Sequence, residues 1–292
     1  LEELTSIEQI DKLHSEKKLI GLFVIDNNLY HECVGISKSA IGPLNKSIKH
    51  WQKYVKDGHK ASEAKTIGSI IHCLTLEKDK FDDYFLKSPD CYRRSKVEKE
   101  IWATFNEKLT TTQKDAYTEK MLITAENMYK SLMESPNNKK LLRGIYEIAC
   151  FWVDPDTGVL CKCKFDVIGT TSGLATDLKK TQDASEVEFI RSVYKFTYHV
   201  QEAFYLDGIR EAIKQSGIVP DFKLPKKMVF VAVEEEEPHF TNRLTIPEDF
   251  VENGREKYKM ALKRYAEFLQ TQKAVAYTEE VKEMRPQAWM YR

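Results

Sequence analysis

The sequence predicts an α/β domain with a helical N-terminal half. Three observations carry that expectation. Apolar residues Ile67, Ile70, Ile71 and Leu74 recur at helical spacing within 62–76. Near residue 145 the pattern changes to β-rich runs divided by turn signals. Helical segments and further strands then follow, ending in a long helix.

Along the chain, residues 1–28 mix helix-like and short apolar stretches and carry no clear element. Ser37 reads as the N-cap of a helix running to about Val55. A second helix spans Ser62 to Leu76, and residues 97–143 are charged and helical, broken at Ser135-Pro136-Asn137-Asn138. Ile145–Val153, Val159–Ile168 and Leu174–Lys180 read as three strands of an antiparallel meander. Asp154-Pro155-Asp156-Thr157-Gly158 and Gly169-Thr170-Thr171-Ser172-Gly173 are the turns between them. Helices over 183–193 and 197–215 come next, then a strand from Lys227 to Glu234 with 240–246 beside it. Pro247 opens a helix to about Gln272.

Composition narrows the class. The 292 residues are 42% hydrophobic and 31% charged, ordinary for a soluble globular protein. No run of about 18 apolar residues is present, so no membrane span is expected. No charged segment followed by an apolar stretch opens the chain, so no secretory leader is expected, although the first residue is Leu. Lys plus Arg and Asp plus Glu are 45 each. That balance disfavours non-specific coating of DNA while leaving room for a local basic groove. Of six cysteines only Cys161 and Cys163 are close, with no second pair to complete a zinc or iron–sulfur site, so buried reduced thiols are expected.

Chemistry concentrates on the meander. Alternate residues of a strand share a face. Lys162, Lys164 and Asp166 therefore face one way, and Cys161, Cys163, Phe165 and Val167 the other. On the next strand Asp177 and Lys179 share a face that Leu178 does not. Two carboxylates on neighbouring strands suit a hard divalent cation. A lysine two residues on lies beside it, placed to orient or deprotonate a water or to stabilise developing charge. Alone this is also what a solvated charged face looks like, so other segments must decide. Gly68 and His72 lie four apart on one helical face; His72 is a candidate ligand, and Gly68 suggests close approach of a backbone or ligand. Tyr198, Gln201 and Tyr205 form one helical stripe, which offers amide donors to phosphate and ring faces to bases, while Phe204 belongs to the core.

These segments in this order resemble the PD-(D/E)XK nuclease superfamily. More closely they resemble the C-terminal nuclease domain of the RecE (exonuclease VIII) family, related to the RecB and AddB nuclease domains. The matching segments are YHECVGISKSAI at 30–41, GSIIHCLTLE at 68–77, EIACFWVDPDTGVLCKCKFDVI at 147–168, TDLKKTQDA at 176–184 and YKFTYHVQEAFYLDGI at 194–209. Phe165 stands where the superfamily name has proline, and Asp177 where glutamate is commoner.

The resemblance implies a central mixed β-sheet flanked by helices, with a nuclease domain over 29–275 between an unassigned segment 1–28 and a tail 276–292. It implies that His72, Asp166 and Asp177 bind metal, that Glu147 contacts a metal or a water, and that Lys179 is the catalytic lysine beside Asp166 and Asp177. Gln201, Tyr205 and Tyr198 would hold DNA, and Ser37 and Lys38 would contact phosphate or serve as an ordinary helix cap. Lys180 points away and has no implied role. The activity implied is Mg2+-dependent exonucleolytic digestion of linear double-stranded DNA, 5′-to-3′, leaving 3′ single-stranded overhangs for recombination by strand annealing. One or two Mg2+ ions per site, with Mn2+ as a substitute, go with it. So do a RecT-like annealing partner, a homo-oligomer such as a tetramer, and a cytoplasmic bacterial or phage setting. The alternatives are an endonuclease or Cas4-like enzyme of the same superfamily, or a catalytically silent DNA-binding module. The missing cluster cysteines disfavour a Cas4-like enzyme. Retention of Asp166, Asp177, Lys179 and His72 together disfavours a silent module.

Overall fold

A computed structural model describes residues 1–58, 62–277, 280–281 and 283–285. Residues 1–28, left without assignment by the sequence, form β1 (Glu2–Leu4), α1 (Ile7–Ser15) and β2 (Gly21–Ile25). Then come α2 (Asn27–Glu32), β3 (Ile36–Ser37), α3 (Lys38–Lys46) and α4 (Ile48–Asp57). The single helix expected from Ser37 to Val55 is therefore two. Ser47 breaks it in an extended conformation and caps α4 by accepting the His50 N–H at 3.2 Å.

Ser62 caps α5 (Glu63–Leu76). A short α6 (Phe81–Tyr84) leads into β4 (Phe85–Lys87); α7 (Lys96–Thr112) starts on a Ser95/Glu98 capping box and precedes β5 (Asp115–Tyr117). The parallel β4–β5 ribbon interrupts what reads as continuous helix. After α8 (Glu119–Glu134), Ser135 caps α9 (Pro136–Leu141), which carries Pro at its first position.

The meander is β6 (Ile145–Val153), β7 (Leu160–Ile168) and β8 (Leu174–Thr181). In its first turn the Asp154 carboxylate accepts the Thr157 N–H and hydroxyl, and Gly158 takes φ +71. Next come α10 (Glu186–Phe196), α11 (Tyr198–Ser216), β9 (Lys227–Glu234), β10 (Thr241–Leu244) and α12 (Glu248–Thr271). Of the expected tail 276–292, only residues 276–277, 280–281 and 283–285 are described; the rest lies outside the described residues.

The architecture is the expected central mixed sheet. Its order is β1-β2-β6-β7-β8-β9-β10, with β3 on β7. β1–β2, β8–β9 and β3–β7 are parallel; the other pairs are antiparallel. One face buries Cys161, Cys163, Phe165, Phe230 and Ala232 under α3, α11 and α12. The opposite face is covered in two places. Ile10 of α1 and Tyr30 of α2, with Cys33 after it, cover β1, β2 and β6 near Phe151, and α5 and α8 cover Leu178, Val229 and Val231. Between those two covers a cleft of about 910 Å³ opens over β7, lined by Lys162, Lys164 and Asp166 and by residues of α2 and α3. All six cysteines are free and all but Cys91 are buried, as expected of reduced core thiols. No helix among the described residues is long and apolar enough to cross a membrane.

Two departures from regular pairing shape the cleft. β7 and β8 pair only at Val167↔Thr176 and Ile168↔Ala175 and then separate, while β3 pairs with β7 further back, at Cys161 and Lys162. The two strands therefore form a fork. Side-chain alternation also resets at one place on β6 and β7 together. Ile148 and Phe165 are cross-strand partners in the core, and so are Ile145 and Ile168, three residues along each strand. Residues three apart in a regular strand face opposite ways. Glu147 and Asp166 lie within the two kinked stretches, and Glu147 has φ +52, a left-handed value costly for a non-glycine residue. Val167 is corrected by the same kink: it packs with Leu178 and Val229, not with Cys161, Cys163 and Phe165.

Candidate active site

The kink turns two carboxylates toward a helix. His72, on α5, Glu147 and Asp166 each offer a ligand atom, and those atoms lie within 4.8 Å of one another. Leu178 organises the group through its backbone. A strand residue sends its N–H and C=O to the same edge of the strand. Because β8 has parted from β7, both groups of Leu178 project into the fork. Its N–H donates to Asp166 Oδ2 at 2.8 Å, and its carbonyl receives His72 Nε2 at 2.8 Å. A carbonyl only accepts, so Nε2 carries a proton, and Nδ1 faces Asp166 Oδ2, 3.7 Å away. Lys164 holds Glu147 by an ion pair of 2.8 Å.

Asp177 is more deeply buried than Asp166. It is 2% exposed and lies outside the three-residue group; its carboxylate pairs with Lys179 at 2.5 Å and accepts the Gln201 amide N–H. One carboxylate oxygen, Oδ2, has the ammonium beside it but no well-aligned hydrogen bond. Gln201 is itself buried, so its amide is committed to Asp177 and not turned to the cleft opening. Lys179 also lies over the Tyr198 ring, 4.8 Å from its centre. Tyr198 stacks on Phe230 beneath, and Tyr205 meets Phe165 edge-on at 5.1 Å while lining the cleft. Ser37 lines the cleft at the start of α3 and makes no side-chain cap bond there. Lys38 lines it too, with Nζ donating to the Phe196 carbonyl at 2.6 Å and lying 5.6 Å from the Tyr198 ring centre. Gly68 has no close neighbour: a Cβ there would meet only Lys180 Cε at 4.0 Å, so the expected close approach is absent among the described residues.

The electrostatics follow from burying like charges together. Burial pushes the Asp166 carboxyl up to about 7, and the Asp177 charge pushes the same way. Burial disfavours the Lys179 ammonium, but the Asp177 and Asp166 carboxylates outweigh it and hold the group above its usual range. Burial and the charge of Lys179 lower Lys38 to about 8. An imidazole nitrogen with two carboxylates, one of them raised by burial and by a neighbouring carboxylate, is a donor set that fits a hard or borderline divalent cation. Two contributors escaped the sequence reading. Strand alternation puts Lys164 on the Asp166 face, but nothing local in the sequence pairs it with Glu147. Leu178 acts through its backbone, which leaves no residue-type signal.

A family model described as a PDDEXK-like domain of unknown function (DUF3799) matches residues 36–287. The fold is similar to the crystal structure of a "putative exonuclease" from Eubacterium rectale, with a TM-score of 0.55 and 13% identity over 88% of this chain and 92% of that one. At that identity the likeness speaks to the fold. No curated protein matches the chain. With the match covering most of its length and the sheet, fork and acidic cluster in place, the chain belongs to the PDDEXK-like family DUF3799.

Proposed function

We propose that this protein is a divalent-metal-dependent deoxyribonuclease that digests linear double-stranded DNA from its ends. The observation that carries the reading is the grouping of His72, Glu147 and Asp166 at the strand fork, beside the Asp177-Leu178-Lys179 segment. A cation held by those three would supply Lewis acidity toward a phosphodiester and lower the pKa of an attacking water. The chain's own groups do the rest. The Leu178 backbone fixes the His72 ring and the Asp166 carboxylate before substrate arrives. Gln201 and Lys179 together hold Asp177. Lys179, kept as an ammonium by its two carboxylate neighbours, donates hydrogen bonds; in that state it orients a water or a phosphoryl oxygen and does not accept a proton. Lys38 reaches the same cleft from the start of α3 and adds positive charge for a phosphate.

The finer features rest on the resemblance to RecE-type exonucleases. They are Mg2+ as the cation, with Mn2+ able to replace it, 5′-to-3′ polarity, 3′ overhangs destined for strand annealing with a RecT-like partner, a ring-shaped homo-oligomer such as a tetramer, and a cytoplasmic setting. The test is digestion of linear duplex labelled at either 5′ or 3′ end, alongside covalently closed circles, with and without Mg2+. The reading expects early release of the 5′ label, no cutting of circles and no activity without the cation. Early 3′-label release overturns the polarity, cut circles overturn the end requirement, and persistence of cleavage in an Asp166→Asn protein overturns the site.

A further inference from the structure

Beyond the catalytic fork, the chain Tyr194-Lys195-Phe196-Thr197-Tyr198 sets three aromatic rings at every second position across the α10–α11 junction. Positions two apart point in different directions on a continuous helix. Here α10 ends at Phe196, and Thr197 takes φ +56 before α11 begins, a left-handed value seldom adopted by threonine. The reset brings the Phe196 and Tyr198 rings into a stack, 5.8 Å between centres. Each ring carries an ammonium: Lys179 over Tyr198 at 4.8 Å, Lys195 over Phe196 at 5.3 Å and Lys257 over Tyr194 at 5.7 Å. Tyr194 is 69% exposed and Phe196 48%. Beside them runs a groove of about 700 Å³ lined by Lys46, Lys53, Lys195 and Lys257, whose lining carboxylate, Asp57, is paired with Lys53. Tyr54 lines both this groove and the catalytic cleft, so the two adjoin.

We propose that this lysine-and-aromatic ladder is a track for a single strand of DNA, running from the catalytic lysine outward over the end of α10. The proposal rests on the nuclease reading and names the form of substrate or product that the surface takes. Exposed rings stack on unpaired bases irrespective of sequence, and lysines along the groove meet the phosphates. A duplex keeps its bases stacked on one another and leaves the rings nothing to stack on. The track therefore distinguishes single strand from duplex, which lysines alone would not do.

The experiment is fluorescence anisotropy with a labelled thymidine oligonucleotide of about 12 nucleotides and a blunt duplex of equal length, in EDTA so that no cleavage intervenes. A Tyr194→Ala/Phe196→Ala protein is expected to bind the single strand at least about tenfold more weakly, with duplex affinity within about twofold of the parent. Tyr194→Phe and Phe196→Tyr should keep the parent's affinity. If the double variant does not fold, Lys46→Ala/Lys195→Ala serves instead and should lower the salt slope of single-strand binding by about 1.4. Unchanged single-strand binding, an equal loss on both DNAs, or an unchanged salt slope overturns the track. Cleavage by the parent protein is measured separately with Mg2+ and with Mn2+. Its absence alongside aromatic-dependent strand binding removes the nuclease reading and leaves the track standing.

Discussion

Glu202 should make the protein less stable as pH rises through neutrality. It lies on α11 next to Gln201, 1% exposed, with Oε1 accepting the Met228 N–H at 3.0 Å and Oε2 without a partner among the described residues. Burial raises its carboxyl from 4.5 to about 7, against the pull of the Met228 hydrogen bond and of Lys227. Between those values the folded protein keeps the proton that the unfolded chain has lost. The folded state thus binds more protons, and stability falls as pH rises across the window. The gap corresponds to about 3 kcal/mol. Glu202→Gln removes the ionisation while preserving shape and the Met228 bond. Urea unfolding of both proteins at intervals from pH 4.5 to 8, without added metal, should show the stability difference moving in favour of the variant by about 3 kcal/mol, complete just above pH 7. Parallel pH profiles for parent and variant would refute the reasoning, since the groups other than Glu202 are common to both.

Lys179→Ala leaves the buried Asp177 carboxylate without its counter-charge and should cost about 3–5 kcal/mol in urea unfolding, so loss of cleavage in that variant must be read beside its stability. Glu147→Gln should weaken Mn2+ binding in calorimetry at least about tenfold, the loss typical of disturbing even a ligand's support; equal affinity would remove Glu147 from the ligand set. Gly254→Ala should destabilise by about 1–3 kcal/mol because its Cβ would lie 2.3 Å from the His199 carbonyl oxygen where α12 crosses α11. Gly68→Ala should instead raise the urea midpoint, by about 0.5–1 kcal/mol of helix propensity, since only the end of Lys180 is near.

What could be read from residue types was local. The bounds of β6 follow from an apolar run closed by a proline–glycine turn, and the starts of α5 and α9 follow from serine caps. Ser47 shows the limit: a serine inside a helical pattern can equally end one helix and cap the next, and packing decides. β2 escaped because a strand buried between β1 and β6 shows an unbroken apolar run without alternation, which short helices share. At the site, the spacing of Asp166, Asp177 and Lys179 was visible, and so was His72. The paired kink at Glu147 and Asp166 was not, because glutamate carries no preference for the left-handed value that Glu147 adopts and both lie inside unbroken β-like runs. Gln201 and Tyr198 were read as facing DNA from helical spacing alone. That spacing fixes a shared face but not which neighbour the face meets, and here the neighbour is the buried Asp177–Lys179 pair.

The charge arrangement in the fork explains why one carboxylate matters most for a cation. Glu147 has Lys164, and Asp177 has Lys179 with the Gln201 amide. Asp166 has a backbone N–H and the His72 ring but no lysine ion pair among the described residues, and it carries the raised pKa. Lysine partners would have been the simplest means of stabilising a buried Asp166, and the chain spends its two nearby lysines on its neighbours instead. The carboxylate without a lysine ion pair is thus also the one where a His72 ring nitrogen and the Glu147 carboxylate converge. A divalent cation placed there would offset the repulsion between Asp166 and Asp177 without displacing either lysine. On this argument, cation binding should raise the melting temperature of the parent protein and leave that of Asp166→Asn nearly unchanged, whereas a similar rise in both would place the cation elsewhere.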